Sequence, residues 1–307
     1  MKKVGFSFVL IFFCIVISGC NSNENPLAYQ TDTHGRGKTD ILIEESFKRL
    51  FDTSIYTFES QFPKADIVPT YGTENEIIDA FFKNKAKTII ISRDLTELEI
   101  KQLKAKKVEV RSNKIATDAI ALIVHPSNND TVFTVQEIKN ILNGKQKSWK
   151  SSKLPLNVVF DNINSANYNY LNQYSGRKTS QENIFAVKSN EEVINYVKNH
   201  PSALGVIGLN WISDQDDFDV KDFLEGIKVI GLKEKENSDI FQPYAGFIYT
   251  KEYPLYRDIW VINKGKRSGL NSGFVNFMIR ETGQMLIQQS GLVPANAPVR
   301  LIQFEAE

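Results

Sequence analysis

The residues of this chain best suited to chemistry lie where apolar runs break into small polar and acidic side chains. The stretch "ILIEESFKRLF", Ile41 to Phe51, passes from an apolar alternation through Glu44, Glu45 and Ser46 straight into a helical pattern. Three more breaks share the feature: "YGTENE" after Pro69, "SRD" after Ile91 and "DNINSAN" after Phe160. The first turn of a helix has backbone N–H groups without partners and carries about half an elementary positive charge. Ser, Thr or Asn placed there either caps the helix or joins those N–H groups in holding an anion. Each break alone reads as an ordinary cap. Ligands of open α/β sheets sit beyond the carboxyl ends of strands, where all four breaks would converge.

Catalytic chemistry finds less support. No Ser/His/Asp arrangement and no phosphate-cradling glycine loop can be assembled, and "GKTD" at Gly37 lacks the preceding glycine at the required spacing. His34, His125 and His200 have no metal-ligand spacing to one another, so neither a metal nor another cofactor is expected. A surface hydrolase using Glu45 or Asp161 as base would still need a nucleophile that the sequence does not supply. With 37 Lys+Arg against 36 Asp+Glu there is no broad basic surface for nucleic acid.

The elements that must position these residues alternate in kind. After Ile41–Ile43 a helical stripe runs through Phe47, Leu50, Phe51, Ile55, Phe58 and Phe62 and stops at Pro63. "ADIVPTYG" reads as a strand, Ile77 to Phe82 as one face of a short helix, "TIIIS" as a buried parallel strand and "TELEIKQLKAK" as a helix. "KIATDAIALIVHP", Lys114 to Pro126, is the longest strand-like run and long enough to cross between two domains. Capping-box patterns at "TVQE" and "SNEE" open two more helices, the first stopping at Gly144. "NVVF", "ALGVIGL" and "GIKVIGL" read as strands, and "YAGFIYT", Tyr244 to Thr250, as a second long one, with Tyr244 and Phe247 in the core. A helical segment from about Gly269 to Gln289 and "PVRLIQF" complete the chain. The pattern predicts an α/β fold with helices on the sheet faces, in two lobes joined by two long strands.

The N-terminus looks like a processing signal. A basic start, the uncharged run "VGFSFVLIFFCIVISG" and the ending "ISGC" resemble the lipobox of bacterial lipoproteins, which implies cleavage before Cys20 and lipidation of its thiol. Cys14 lies inside the run, so no disulfide framework would remain. Residues 21–38 are polar and aperiodic, as a flexible tether should be. Roughly 270 residues follow, enough for two domains. The expected location is the bacterial cell envelope, lipid-anchored to a membrane and facing the periplasm or exterior.

At "IATDAIALIVHPSN", "FTVQEIKNILNGKQKSW", "VIGLNWISD" and "SGLNSGFVNFMIRETGQMLIQQSGLVPANAPVR" the chain resembles the phosphate-binding proteins of bacterial phosphate ABC importers, which have the type 2 periplasmic-binding-protein fold. The resemblance covers nearly the whole mature chain. It implies a first lobe of residues 39–122 plus 244–307, a second lobe of 123–243, two hinge crossovers, and a dehydrated phosphate between the lobes. It also implies a monomer that works with membrane permease subunits. Ligand contacts then fall on Ser46, Phe47 through its N–H, Thr73, and the turn Ser165, Ala166 and Asn167. Two positions depart from the better-known members: Arg93 replaces an aspartate, and Asp161 or Asn162 replaces an arginine. Arg93 is expected to grip the ligand, the alternative being a surface ion pair with little effect. Glu45, Glu74 or Asp161 would accept the phosphate proton and so reject sulfate; Glu45 could instead be a solvent-facing charge at the helix start. Sulfate, molybdate or tungstate remain alternative ligands, and a non-transporting sensor or adhesin an alternative role.

Overall fold

The first apolar run forms the strand that places the site. In the computed structural model, which describes residues 32–177, 181–214, 216–265 and 267–296, β1 spans Arg36–Glu44 and its last four residues are buried. The expected tether, residues 21–38, overlaps the first three residues of this strand. Its polar front half is held in the sheet by parallel pairing with β2, Lys64–Gly72, and by Lys38 donating to Asp66 at 2.7 Å. Cys20, the apolar leader and "PVRLIQF" lie outside the described residues.

A single 3₁₀ turn, Glu45–Phe47, joins β1 to α1, Lys48–Gln61. The predicted stripe is the buried face of α1, with Leu50, Phe51, Ile55 and Phe58 at 6% exposure or less. Burying each such side chain is worth about 1.5–3 kcal/mol. Pro63, which has no N–H, follows the end of the helix. Thereafter α2, Glu74–Phe82, β3, Thr88–Ile91, and α3, Glu97–Ala105, complete the first βαβα run. The strand β4, Val110–Val124, runs on into β5, Val132–Thr134, and α4, Val135–Leu142. Thr73, Thr96 and Thr134 cap α2, α3 and α4 in complete capping boxes.

Next come β6, Asn157–Phe160, α5, Ala166–Ser175, β7, Ile184–Ala186, α6, Asn190–Asn199, and β8, Ala203–Gly208. Ser189 caps α6 as predicted, but the carboxylate of Glu192 takes the N–H of Lys188 rather than that of Ser189. A 3₁₀ turn at Leu209–Trp211 precedes α7, Phe218–Glu225, and the short strands β9, Lys228–Val229, and β10, Gly231–Lys233.

"YAGFIYT" is not a strand. Ala245–Tyr249 forms the short helix α8, which turns the buried Ile248 inward and leaves Tyr244 57% exposed, so only Phe247 of the expected aromatic pair packs on the core. The second long strand is β11, Tyr256–Lys264, where buried Arg257, Asn263 and Lys264 hide the apolar pattern. The helices α9, Leu270–Ile279, and α10, Glu281–Gln289, then lead to β12, Val293–Pro294.

Among the described residues the strands form a ten-stranded sheet in the order β2-β1-β3-β11-β4-β8-β6-β7, with β12 and β9 also pairing with β4. β1, β2 and β3 are mutually parallel, as are β6, β7 and β8; β4 and β11 run antiparallel to their neighbours. The sheet therefore has two halves that share β4. Residues up to Ala119 pair with β11, and Ile120–Val124 pair with β8. The strand ends of β1 and β6 meet at the line between the halves.

Candidate functional site

The carboxylate of Glu44, the last residue of β1, is the focus of the site. It is fully buried. One oxygen, Oε2, accepts the N–H of Ser46 at 2.9 Å, two residues on in the same turn. The other, Oε1, accepts the N–H of Ala166 at 3.2 Å, at the start of α5 in the other half of the sheet. Two helical starts thus direct N–H groups at one anionic side chain, the arrangement that partial positive charge at such ends favours.

Asp161 stands opposite, at the end of β6. Ser165, the N-cap of α5, has its hydroxyl 2.7 Å from Asp161 Oδ1 and also accepts from Tyr168 N. Asn190, at the start of α6, donates to Glu45 Oε2 at 2.6 Å and to Asp161 Oδ2 at 3.2 Å, and accepts from Asn167 and from the N–H of Gly208. The hydroxyl of Ser46 is 3.4 Å from Asn167 Oδ1, and Asn210 donates to the carbonyl of Ser46 at 2.7 Å. Gly208 is where backbone must approach this closely. A Cβ there would come within 3.1 Å of Arg257 Nη2 and 3.3 Å of both Asn210 Nδ2 and Ser46 Cβ.

Arg257 on β11 supplies the buried positive charge. Its Nε and Nη2 donate to Asp118 Oδ2 on β4 at 3.1 and 3.0 Å, and its guanidinium lies 5.1 Å from the centre of the Phe47 ring. Arg257 Nη1, Asp118 Oδ1 and Asn210 Oδ1 are buried without hydrogen-bond partners. Against this one cation stand Glu44, Glu45, Asp161 and Asp118. Burial pushes Glu44 up to about 8 and Asp161 and Glu45 add to the rise, while Arg257 and the Ser46 side chain pull the other way. Burial, then the charge of Asp161, pushes Glu45 up to about 7. Burial likewise raises Asp161 and Asp118, although Ser165 and Arg257 oppose it at the first and Arg257 at the second.

The structure brings together Ser46, Phe47, Glu45, Asp161, Ser165, Ala166 and Asn167 among the residues singled out from sequence. Glu45 does not face solvent freely but is tied to Asn190 across the two halves. The other candidates lie elsewhere in the hydrogen-bond network. Thr73 gives its N–H and its hydroxyl to Glu76 within its own helix turn. Glu74 is buried and accepts from Ser92 at 3.0 Å. Arg93 places both guanidinium nitrogens on the carboxylate of Glu99 at 2.9 Å and is 37% exposed, so its fork is engaged by α3 rather than turned to an anion. Asn162 closes a local turn by accepting the N–H of Asn164.

Glu44, Asn190, Asn210, Asp118 and Arg257 were missed. Asp118 left a trace in the sequence as the single acidic residue in the longest strand-like run, and Glu44 as the last letter of "ILIE". Arg257 left none. Among the described residues no group of His, Cys, Asp or Glu is placed to hold a metal ion, and no helix is long and apolar enough to cross a membrane.

The fold is of the α/β type 2 periplasmic-binding-protein class. The sequence matches the PBP superfamily domain over residues 29–282, and the chain belongs to that superfamily. It is 26% identical over 228 residues to the phosphate-binding protein PstS of Borreliella burgdorferi, spanning 70% of this chain and 75% of that one. It is also 26% identical over 216 residues to PstS of Staphylococcus aureus, spanning 66% and 62%. Among solved structures, a putative phosphate ABC transporter substrate-binding protein with bound phosphate from Clostridium perfringens aligns with a TM-score of 0.72 at 20% identity, covering 85% of this chain and all of that one. An ABC-type phosphate transport receptor from Vibrio cholerae aligns with a TM-score of 0.63, also at 20% identity, over 84% of this chain and all of its own.

Proposed function

We propose that this chain is the substrate-binding component of an ABC-type importer and that it captures inorganic phosphate. The observation that carries the reading is the convergence on one buried point of Ser46 N–H and Ala166 N–H, from opposite sheet halves, around a pair of carboxylate oxygens. A pocket that orders one oxyanion this way has the donors to order another. Relatives named for phosphate binding supply the identity of the anion. The surrounding carboxylates favour an oxyanion that still carries a proton, because it can donate to Glu44, Glu45 or Asp161, whereas sulfate can only be repelled. This ranks phosphate above sulfate, molybdate and tungstate. In this reading Ser46, Phe47, Ser165, Ala166, Asn167 and Arg257 line the ligand. Thr73, Arg93 and Asn162 would join only by leaving their present partners.

The protein binds its solute and does not transform it, and the halves of the sheet are lobes that part to admit it, with boundaries near Leu122 and Tyr244. The lipobox-like "ISGC" argues for lipidation of Cys20, envelope anchoring and delivery to a membrane permease. Titration calorimetry of the chain from Asn21 onward with phosphate, sulfate and molybdate tests the reading. Heat with phosphate alone is expected, and heat with none of the three retires it. For the anchor, a Cys20→Ser variant should lose acyl labelling and appear in the soluble fraction; unchanged membrane retention would refute the lipid anchor.

A further inference from the structure

Most of the donors at the midline are already spent on the protein's own carboxylates. Ser46 N–H and Ala166 N–H are on Glu44, Asn190 Nδ2 is on Glu45 and Asp161, Ser165 Oγ is on Asp161, and two nitrogens of Arg257 are on Asp118. Glu44 differs from the others in bridging. Its two oxygens take one N–H from each half of the sheet, as two oxygens of a tetrahedral anion would. The helix behind Ala166 has ten residues, long enough for an effective terminal dipole. A second feature marks the spot as a ligand position. Arg257 is 4% exposed, its charge acts on both Glu44 and Asp161, and its Nη1 has no partner. Glu44 leaves that donor unused.

We infer that Glu44 is a built-in occupant of the oxyanion position, fastening the two halves together in the absence of ligand, so that phosphate enters only by displacing it. The inference rests on the oxyanion reading above. Glu44 then sets affinity and specificity: an incoming anion must win both N–H groups from a tethered competitor, whose effective concentration is high because it is part of the chain. A weakly held anion would not open the site. An anion that can use Arg257 Nη1 and donate a proton to a neighbouring carboxylate gains contacts that Glu44 does not make. Burial first, and then the nearby charges of Asp161 and Glu45, raise the proton affinity of Glu44 against the pull of Arg257.

Small-angle scattering of the ligand-free chain from Asn21 onward, paired with phosphate calorimetry, tests the inference on Glu44→Gly, Glu44→Gln and Ala166→Pro. The last removes the N–H on the far half at the first helical position, where proline is tolerated. Glu44→Gly should bind phosphate about tenfold more tightly, a gain of about 1.4 kcal/mol, and should show a larger radius of gyration without ligand. Ala166→Pro should expand likewise but gain no affinity. Should Glu44→Gly be misfolded by circular dichroism, the near-isosteric Glu44→Gln carries the same expectations. An unchanged radius in the folded variants, or weaker phosphate binding on losing Glu44, overturns the inference, the second by making Glu44 a partner of the ligand. If no variant binds phosphate while the expansion persists, the fastening role stands and the phosphate assignment falls.

Discussion

Two helix starts, α2 and α5, have nearly the same local chemistry and opposite standing in the molecule. At α2, Thr73 and Glu76 satisfy each other's backbone and hydroxyl groups in a capping box, and the tie to the other half is a side-chain one, Asn169 of α5 donating to Asn75 at 3.3 Å. At α5, Ser165 caps Tyr168, but the next free N–H, that of Ala166, goes to Glu44, 122 residues earlier in the chain. A start that closes on itself is architecture. A start that needs a partner from the other half of the sheet is a site. The same contrast separates the two arginines: Arg93 pairs with Glu99 six residues away at the surface, whereas Arg257 pairs with Asp118 across β11 and β4 in the interior.

The arginines give the widest separation. Arg257→Ala leaves Asp118, Glu44 and Asp161 without their buried cation, and should cost about 3–5 kcal/mol in denaturant unfolding. A loss no larger than that of Arg93→Ala would erase the distinction.

Acidity sharpens it next. Glu44 and Glu45 bind protons more tightly folded than unfolded, so their contribution is fully present below about pH 4.5, their ordinary value, and is lost as pH rises through about 7 and 8. The melting temperature of the ligand-free protein should fall between about pH 4.5 and 8, less steeply in Glu44→Gln. A melting temperature that rises across that window would contradict the burial of these groups.

The caps come third. Thr73→Ala should cost about 1 kcal/mol of stability and leave phosphate affinity unchanged, whereas Ser165→Ala should lose a similar amount and also weaken binding. Equal binding losses would join the two helix starts into one site. Arg93→Ala is expected to be smallest, under about 1 kcal/mol of stability with no change in affinity; a tenfold affinity loss would return Arg93 to the ligand.

Much of this architecture was legible in the sequence because burial wrote it there. β3, β6 and β8 are continuous apolar runs, β4 carries one charge in an apolar stretch, and α4 announces itself by a complete box. β11 was not legible, since a strand that buries an arginine, an asparagine and a lysine loses its periodicity. α8 was misread for the converse reason, that aromatic and β-branched residues at strand density can also fill one short helical turn. At the site, the local signals found the breaks that hold Ser46, Ser165 and Asn167, and the family resemblance singled out those residues within them. They could not find Glu44, because a carboxylate ending a strand is normally solvated, and its burial here is compensated in part by groups far along the chain, the N–H of Ala166 and the charge of Arg257.

The changeover along β4 sets how the molecule can bend. Between Ala119 and Ile120 the strand gives up β11 and takes β8, and Tyr253 hydroxyl and Leu255 carbonyl brace the spot by bonding the carbonyl and the N–H of Ile120. A bend there would fall between the two ladders and break no rung of either. Asp118 sits beside this pivot and grips Arg257. A small rotation of the backbone there would re-aim this buried guanidinium, and with it the electric field where the proposed anion would arrive.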